Sequence, residues 1–206
     1  MLPLDFFDTS VDNYSMYEKK DKTREFILQS CYSLFAQKGF KQVTMKDVCE
    51  ITKLSRGGLY SHFASTAQIF EDILKRITSR NTLDFEQEMS KKTPAPAILK
   101  NAFAELEKEM SSLSESLSVA IFEYSQIVDS NIIQILNKKA EEKWAALFKY
   151  GIKRGEFVRV DVPALVNTLL YAYQGIRMWQ TIIPMKPETA KSILKNIQNQ
   201  LIGESK

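Results

Sequence analysis

Residues 41–63 read KQVTMKDVCEITKLSRGGLYSHF, and their capping chemistry decides the fold. Thr44 followed three residues later by Asp47 is close to the Thr-x-x-Glu capping box that opens a helix. Ser55 is placed to cap a second start, since a serine oxygen at the N-cap satisfies a free N–H of the first turn. Between them, Thr52-Lys53-Leu54 forms a tight turn with an apolar residue in it. Two helices of about eight residues each, so joined, predict a helix-turn-helix. Ser65 followed by Gln68 then opens a longer helix.

Outward from this segment the apolar spacing is helical. Phe26, Ile27, Ser30, Cys31, Leu34 and Phe35 line one face ahead of a stop at Gly39. Ile69, Phe70, Ile73, Leu74 and Ile77 repeat the pattern, as do Leu165, Val166, Leu169, Leu170, Tyr173 and Ile176. Strict alternation is confined to residues 156–160. The expected fold is all-α with about nine helices and short connections.

Composition narrows the function. With 206 residues, 44% of them apolar and 26% charged, the chain can bury a sizeable core. Its one histidine, His62, rules out a multi-histidine metal site, and a Ser-His-Asp triad could use only that residue. Cys31 and Cys49 are too few for a zinc ribbon or a disulfide framework. No Glu-x-x-His pair suggests a carboxylate metal centre. The expectation is a non-enzyme with no catalytic residue, metal or cofactor. The start, MLPLDFFDTS, lacks the marks of a secretory signal, and the charge-free stretch 162–176 is too short to span a bilayer. A cytoplasmic protein without a membrane partner is expected.

Net charge is only +3, but it is unevenly placed. Residues 1–18 carry −4, whereas residues 19–63 carry +5, from Lys19, Lys20, Lys22, Arg24, Lys38, Lys41, Lys46, Lys53 and Arg56 against four acids. A compact basic segment holding a helix-turn-helix suits the phosphates of double-stranded DNA. Gly57 and Gly58 allow close approach to a groove wall, and the planar fork of Arg56 can bind guanine O6 and N7. A tight helix–helix contact is the competing reason for the glycines.

Residues 23–70 resemble the DNA-binding domain of the TetR family of bacterial repressors. The resemblance rests on Thr23-Arg24 with Ile27, Phe35 with Lys38-Gly39-Phe40, residues 44–48, and residues 55–60 with His62-Phe63. Downstream it is thin: Gly151 with Gly155-Glu156-Phe157, and Gly175. The acidic start with its interleaved aromatics predicts a mostly mobile arm over 1–20, and the resemblance implies a DNA-binding domain over 21–66 and a helical regulatory and dimerisation domain over 67–206. It also implies DNA contacts at Thr44, Met45, Lys46, Ser55, Arg56, Gly57, Gly58, Tyr60, His62 and Thr66, with Tyr60 and His62 touching phosphate. The turn glycine usual in the family is Lys53 here, and a lysine usual at the next helix start is Thr66.

The implied function is a homodimeric regulator, paired through its two C-terminal helices, that represses from a palindromic operator and is released by a small-molecule effector. Phe122, Glu123, Trp144, Tyr171, Gln174 and Arg177 are the candidate effector residues. The aromatics could equally be core, and Glu123 and Arg177 could pair with each other. The alternative function is a helix-turn-helix protein whose main partner is another protein.

Overall fold

The computed structural model describes residues 9–79, 84–111, 116–129, 131–180, 182–186 and 188–203, omitting the side chains of residues 9–20, 78 and 79. Among the described residues there are ten helices and no strand. They are α1 (Thr9–Lys38), α2 (Met45–Thr52), α3 (Arg56–Tyr60), α4 (Thr66–Ser79), α5 (Phe85–Ser90), α6 (Ala95–Ser111), α7 (Ser118–Ile127), α8 (Ile132–Lys153), α9 (Val162–Trp179) and α10 (Glu188–Ile202). No described helix is long and apolar enough to cross a membrane.

Local chemistry sets the boundaries. α1 stops at Gly39, whose φ of +77° is left-handed and whose N–H donates to Phe35 O at 2.9 Å. Thr44 and Asp47 form a complete capping box on α2. Lys53 takes the turn at φ 58°, the left-handed geometry that a glycine would adopt without strain. Ser55 Oγ accepts from Gly58 N at 3.1 Å to open α3. At α4, Ser65 Oγ accepts from Gln68 N while the Gln68 side chain accepts from Ala64 N. Asp161 caps α9 by accepting from Ala164 N at 3.1 Å, with Pro163 in the first turn. The expectation had about nine helices; the additional short one is α5, capped by Asp84.

Apolar side chains gather into two cores. The first unites Ile27, Cys31 and Phe35 of α1, Val48, Leu59 and Phe63, then Ile69, Phe70, Ile73 and Leu74 of α4. Leu117, Ala120 and Tyr124 from the α7 segment complete it, and Tyr124 is edge-on to Phe40 at 5.0 Å. The second joins α5, α6, α8, α9 and α10 around Trp144, Leu147, Phe148, Leu169 and Leu194. Gly151 belongs there of necessity, because a Cβ would fall 2.2 Å from the Phe157 ring. α4 and the α7 segment thus both contribute to the first core. Residues 9–20, read from sequence as an arm, have helical backbone continuous with α1. Residues 1–8 lie outside the described residues.

Candidate nucleic-acid interface and effector cavity

α2 packs on α1 and α3 on α2, with Val48 and Leu59 fully buried in the first core, which turns the other side of each helix outward. Lys46, Ser55, Arg56, Gly57 and Tyr60 are exposed there, as is Thr44. Lys46 approaches only Glu50, at 3.8 Å between exposed side chains, a weak tie in solvent. The Arg56 guanidinium stands 5.6 Å from the Tyr60 ring centroid, a cation–π distance that pre-orients both. Met45 is half-buried and leans on the first core. His62 and Thr66 are half-buried, Thr66 in the opening turn of α4.

The two glycines differ. A Cβ on Gly58 would meet Ser55 Oγ at 3.2 Å, so this glycine protects the helix cap. A Cβ on Gly57 would meet nothing within 4 Å. The helix–helix contact considered as a reason for both is therefore absent at Gly57.

Not all of the basic side chains face outward. Arg24 Nη1 donates to the His62 carbonyl at 2.7 Å, its guanidinium covers the Phe63 ring at 4.1 Å, and it pairs with Asp72. It braces the end of α3 against α1 and α4. Lys38 donates to Asp47 at 2.6 Å. That bond, with those from Thr44, holds the Asp47 carboxyl well below the usual carboxylate range. Neither partnership was visible in a count of charges.

A cavity of about 920 Å³ opens among α5, α6, α8 and α9. Phe85, Trp144 and Tyr173 give it aromatic walls, with Phe85 edge-on to Trp144 at 5.1 Å. Its charged lining is Asp84, Glu86, Glu105, Glu109 and Glu142 against Lys139 and Lys143. Burial lowers the Lys143 ammonium below the usual lysine range, and Asp84 and Glu109 act against that shift. Burial also pushes the Tyr173 phenol upward.

Of the six candidate effector residues, only Trp144 lines this cavity. Phe122 and Tyr171 point into solvent. Gln174 donates to Asn137 at 3.0 Å. Glu123 reaches the helix-turn-helix end, where it accepts the Lys41 N–H at 2.9 Å. Arg177 lies just behind the cavity wall: Nη1 donates to Tyr173 Oη at 2.9 Å and sits 3.5 Å from Glu109, while Nε donates to Ser116 Oγ at 3.3 Å. Glu123 and Arg177 thus serve different places and do not pair. Phe85, Glu105 and Glu109 were not among the candidates; Glu105 and Glu109, one turn apart on a helix, were the available signal.

Comparison with known proteins agrees with this architecture. The family model described as bacterial regulatory proteins, tetR family, matches residues 27–73. The HTH-type transcriptional regulator YfiR of Bacillus subtilis is 30% identical over 154 residues, which is 72% of this chain and 75% of that one. The HTH-type transcriptional repressor KstR2 of Mycolicibacterium smegmatis is 24% identical over 177 residues, 80% of each chain. A TetR-family transcriptional regulator from Agrobacterium tumefaciens shares the fold, with a TM-score of 0.75 at 10% identity, covering 89% of this chain and 99% of that one. With its helix-turn-helix braced on α1 and α4, and with similarity that runs through most of a relative's length, the chain belongs to the tetR family of bacterial regulatory proteins.

Proposed function

We propose that the protein is a homodimeric repressor that binds a palindromic operator in double-stranded DNA and leaves it when a small molecule enters the cavity among α5, α6, α8 and α9. The observation that carries the DNA reading is Gly57. Glycine inside a helix costs about 1 kcal/mol relative to alanine, and nothing in the protein lies within 4 Å of its missing Cβ. Close approach of a groove wall explains it. Exposed Arg56 beside it reads a guanine edge, while Tyr60, His62, Thr44, Met45, Lys46, Ser55, Gly58 and Thr66 line the backbone-positioning surface.

Dimerisation through α9, with α10 alongside, follows from what α9 leaves uncovered. Ala164, Thr168, Tyr171 and Gly175 recur at helical spacing away from the core, continuing to Trp179 and Ile182. Tyr171 is 67% exposed and Ile182 69%, and large apolar side chains left open in this way suit an interface. Gly175 has open space over its Cα, which lets a twofold mate approach closely. Two recognition helices then read two half-sites about one DNA turn apart, and an effector with unequal affinity for two dimer spacings shifts their populations. The name of the KstR2 relative favours repression over activation.

Selection of bound genomic fragments, followed by gel shifts at two salt concentrations, tests the reading. The expected result is a palindromic site bound by a dimer, with affinity that falls steeply as salt rises. Binding to no DNA, or binding that salt does not weaken, overturns it in favour of a protein partner.

A further inference from the structure

The effector cavity carries an imbalance of charge beside its aromatic walls. Glu86, Glu105 and Glu142 line it and form no ion pair among the described residues. Glu105 and Glu109 stand one turn apart on α6 and both face it, a spacing at which like charges repel. Phe85 and Trp144 line the same cavity, and aromatic ring faces attract cations. Lys143 already shows this, with its Nζ 4.4 Å from the Phe85 ring centroid.

Glu109 is also the outer member of a chain of contacts. Its Oε2 accepts from Tyr173 Oη at 2.5 Å, Tyr173 Oη accepts from Arg177, and Arg177 donates onward to Ser116. Ser116 leads into α7, the helix that packs in the first core and holds Lys41 through Glu123. The side chain that balances Glu109 is therefore the one that ties α9 to the approach to α7.

We propose that the cavity takes an amphiphilic organic cation whose positive end lies between Glu105 and Glu109 and whose apolar body covers Phe85, Trp144 and Leu106, and that this cation displaces Arg177 from Glu109. An anion of the same shape would face a lining in which carboxylates outnumber Lys139 and Lys143, and a neutral body would leave the repulsion on α6 unrelieved. Release of Arg177 loosens its bond to Ser116 and so alters how α7 is seated. The assignment rests on the reading of this cavity as the effector site.

Calorimetric titration of the intact protein without DNA tests it, using tetraphenylphosphonium and tetraphenylborate, ions of one shape and opposite charge. The phosphonium is expected to bind at least about tenfold tighter, and joint Glu105→Gln and Glu109→Gln replacement should remove that preference. Arg177→Met should tighten phosphonium binding several-fold, because a competitor for Glu109 is gone. Tyr173→Phe, which loosens the same contact without removing a charge, should act in the same direction and stands in if the methionine variant fails to fold. Binding of neither ion, equal or tighter binding of the borate, or unchanged or weaker phosphonium binding in the folded Arg177 and Tyr173 variants overturns the proposal. Since no DNA is present, a negative result leaves operator binding untouched, and loss of operator binding in the gel shift would leave a positive result standing.

Discussion

The Glu123 carboxylate of α7 accepts the backbone N–H of Lys41 at 2.9 Å and covers Gly39 so closely that a Cβ there would lie 2.5 Å from Oε2. Gly39 is thus constrained twice, by its left-handed φ and by a side chain 84 positions away. Gly39→Ala should destabilise the fold by about 1–2 kcal/mol from backbone geometry alone, with the displaced carboxylate adding to that. In a Glu123→Ala background the second part disappears. Denaturant unfolding of the two single variants and the double variant should show losses that fall short of additive by about 0.5 kcal/mol or more. Strict additivity would remove the contact from the account.

Arg56 and Lys46 should fail in different ways. Arg56→Ala is expected to cost about 1–3 kcal/mol on the selected operator and to relax discrimination at one base position. Lys46→Ala should weaken binding to all sequences about equally and reduce the salt slope by about 1. Fluorescence anisotropy on matched and scrambled duplexes across a salt series separates the two. A wild-type preference retained by Arg56→Ala would take that residue out of base reading.

Gly57→Ala separates stability from binding. Alanine removes a helix penalty of about 1 kcal/mol and meets no protein atom within 4 Å, so Tm should hold or rise. Operator affinity should fall because the methyl group stands where a groove wall approaches. A variant that gains stability and keeps full affinity would show that the space over Gly57 stays empty in the complex.

Acid should unseat α2 in a way that Asp47 controls. Its folded carboxyl is lowered by Lys38 first and Thr44 second, whereas an unfolded aspartate titrates near about 4. A depressed folded value means the stabilisation is fully present above about pH 4 and is lost as pH falls through the folded value. Asp47→Asn should flatten the stability profile below about pH 4 and leave its shape above about pH 5 unchanged. Urea midpoints taken across that range measure it; an unaltered acid limb would dismiss Asp47 as its source.

Burial pushes the Cys31 thiol up to about 12, and its side chain has no exposure in the first core. A disulfide-exchange reagent at mild alkaline pH should therefore modify the partly exposed Cys49 in the native protein and reach Cys31 only on unfolding. Two equally fast native thiols would contradict the packing of α1.

What the sequence disclosed was local. The caps at Thr44, Ser55 and Ser65 sit within four residues of the groups they satisfy, so spacing alone reveals them. The left-handed turn at Lys53 follows from the family's glycine at that position. What stayed hidden depends on how helices are rotated against each other. Phe122 lies two residues from both Ala120 and Tyr124, about 200° around the helix from either, so it faces water while they face the core. Arg24 adds to any charge count of the basic segment, yet it is held inside by His62, Phe63 and Asp72. Arg177 looks like a lone charge in an apolar helix until α6 brings Glu109 beside it.

The seating of Tyr124 among Phe40 and Phe70 sets a rule for recombining this protein with its relatives. A hybrid that took only the first four helices would carry an aromatic socket without its plug, because the ring that fills it is encoded some fifty residues further along. Transplanting the operator-reading end onto another body therefore requires moving α7 with it. In this protein the unit that can be exchanged is discontinuous in the chain.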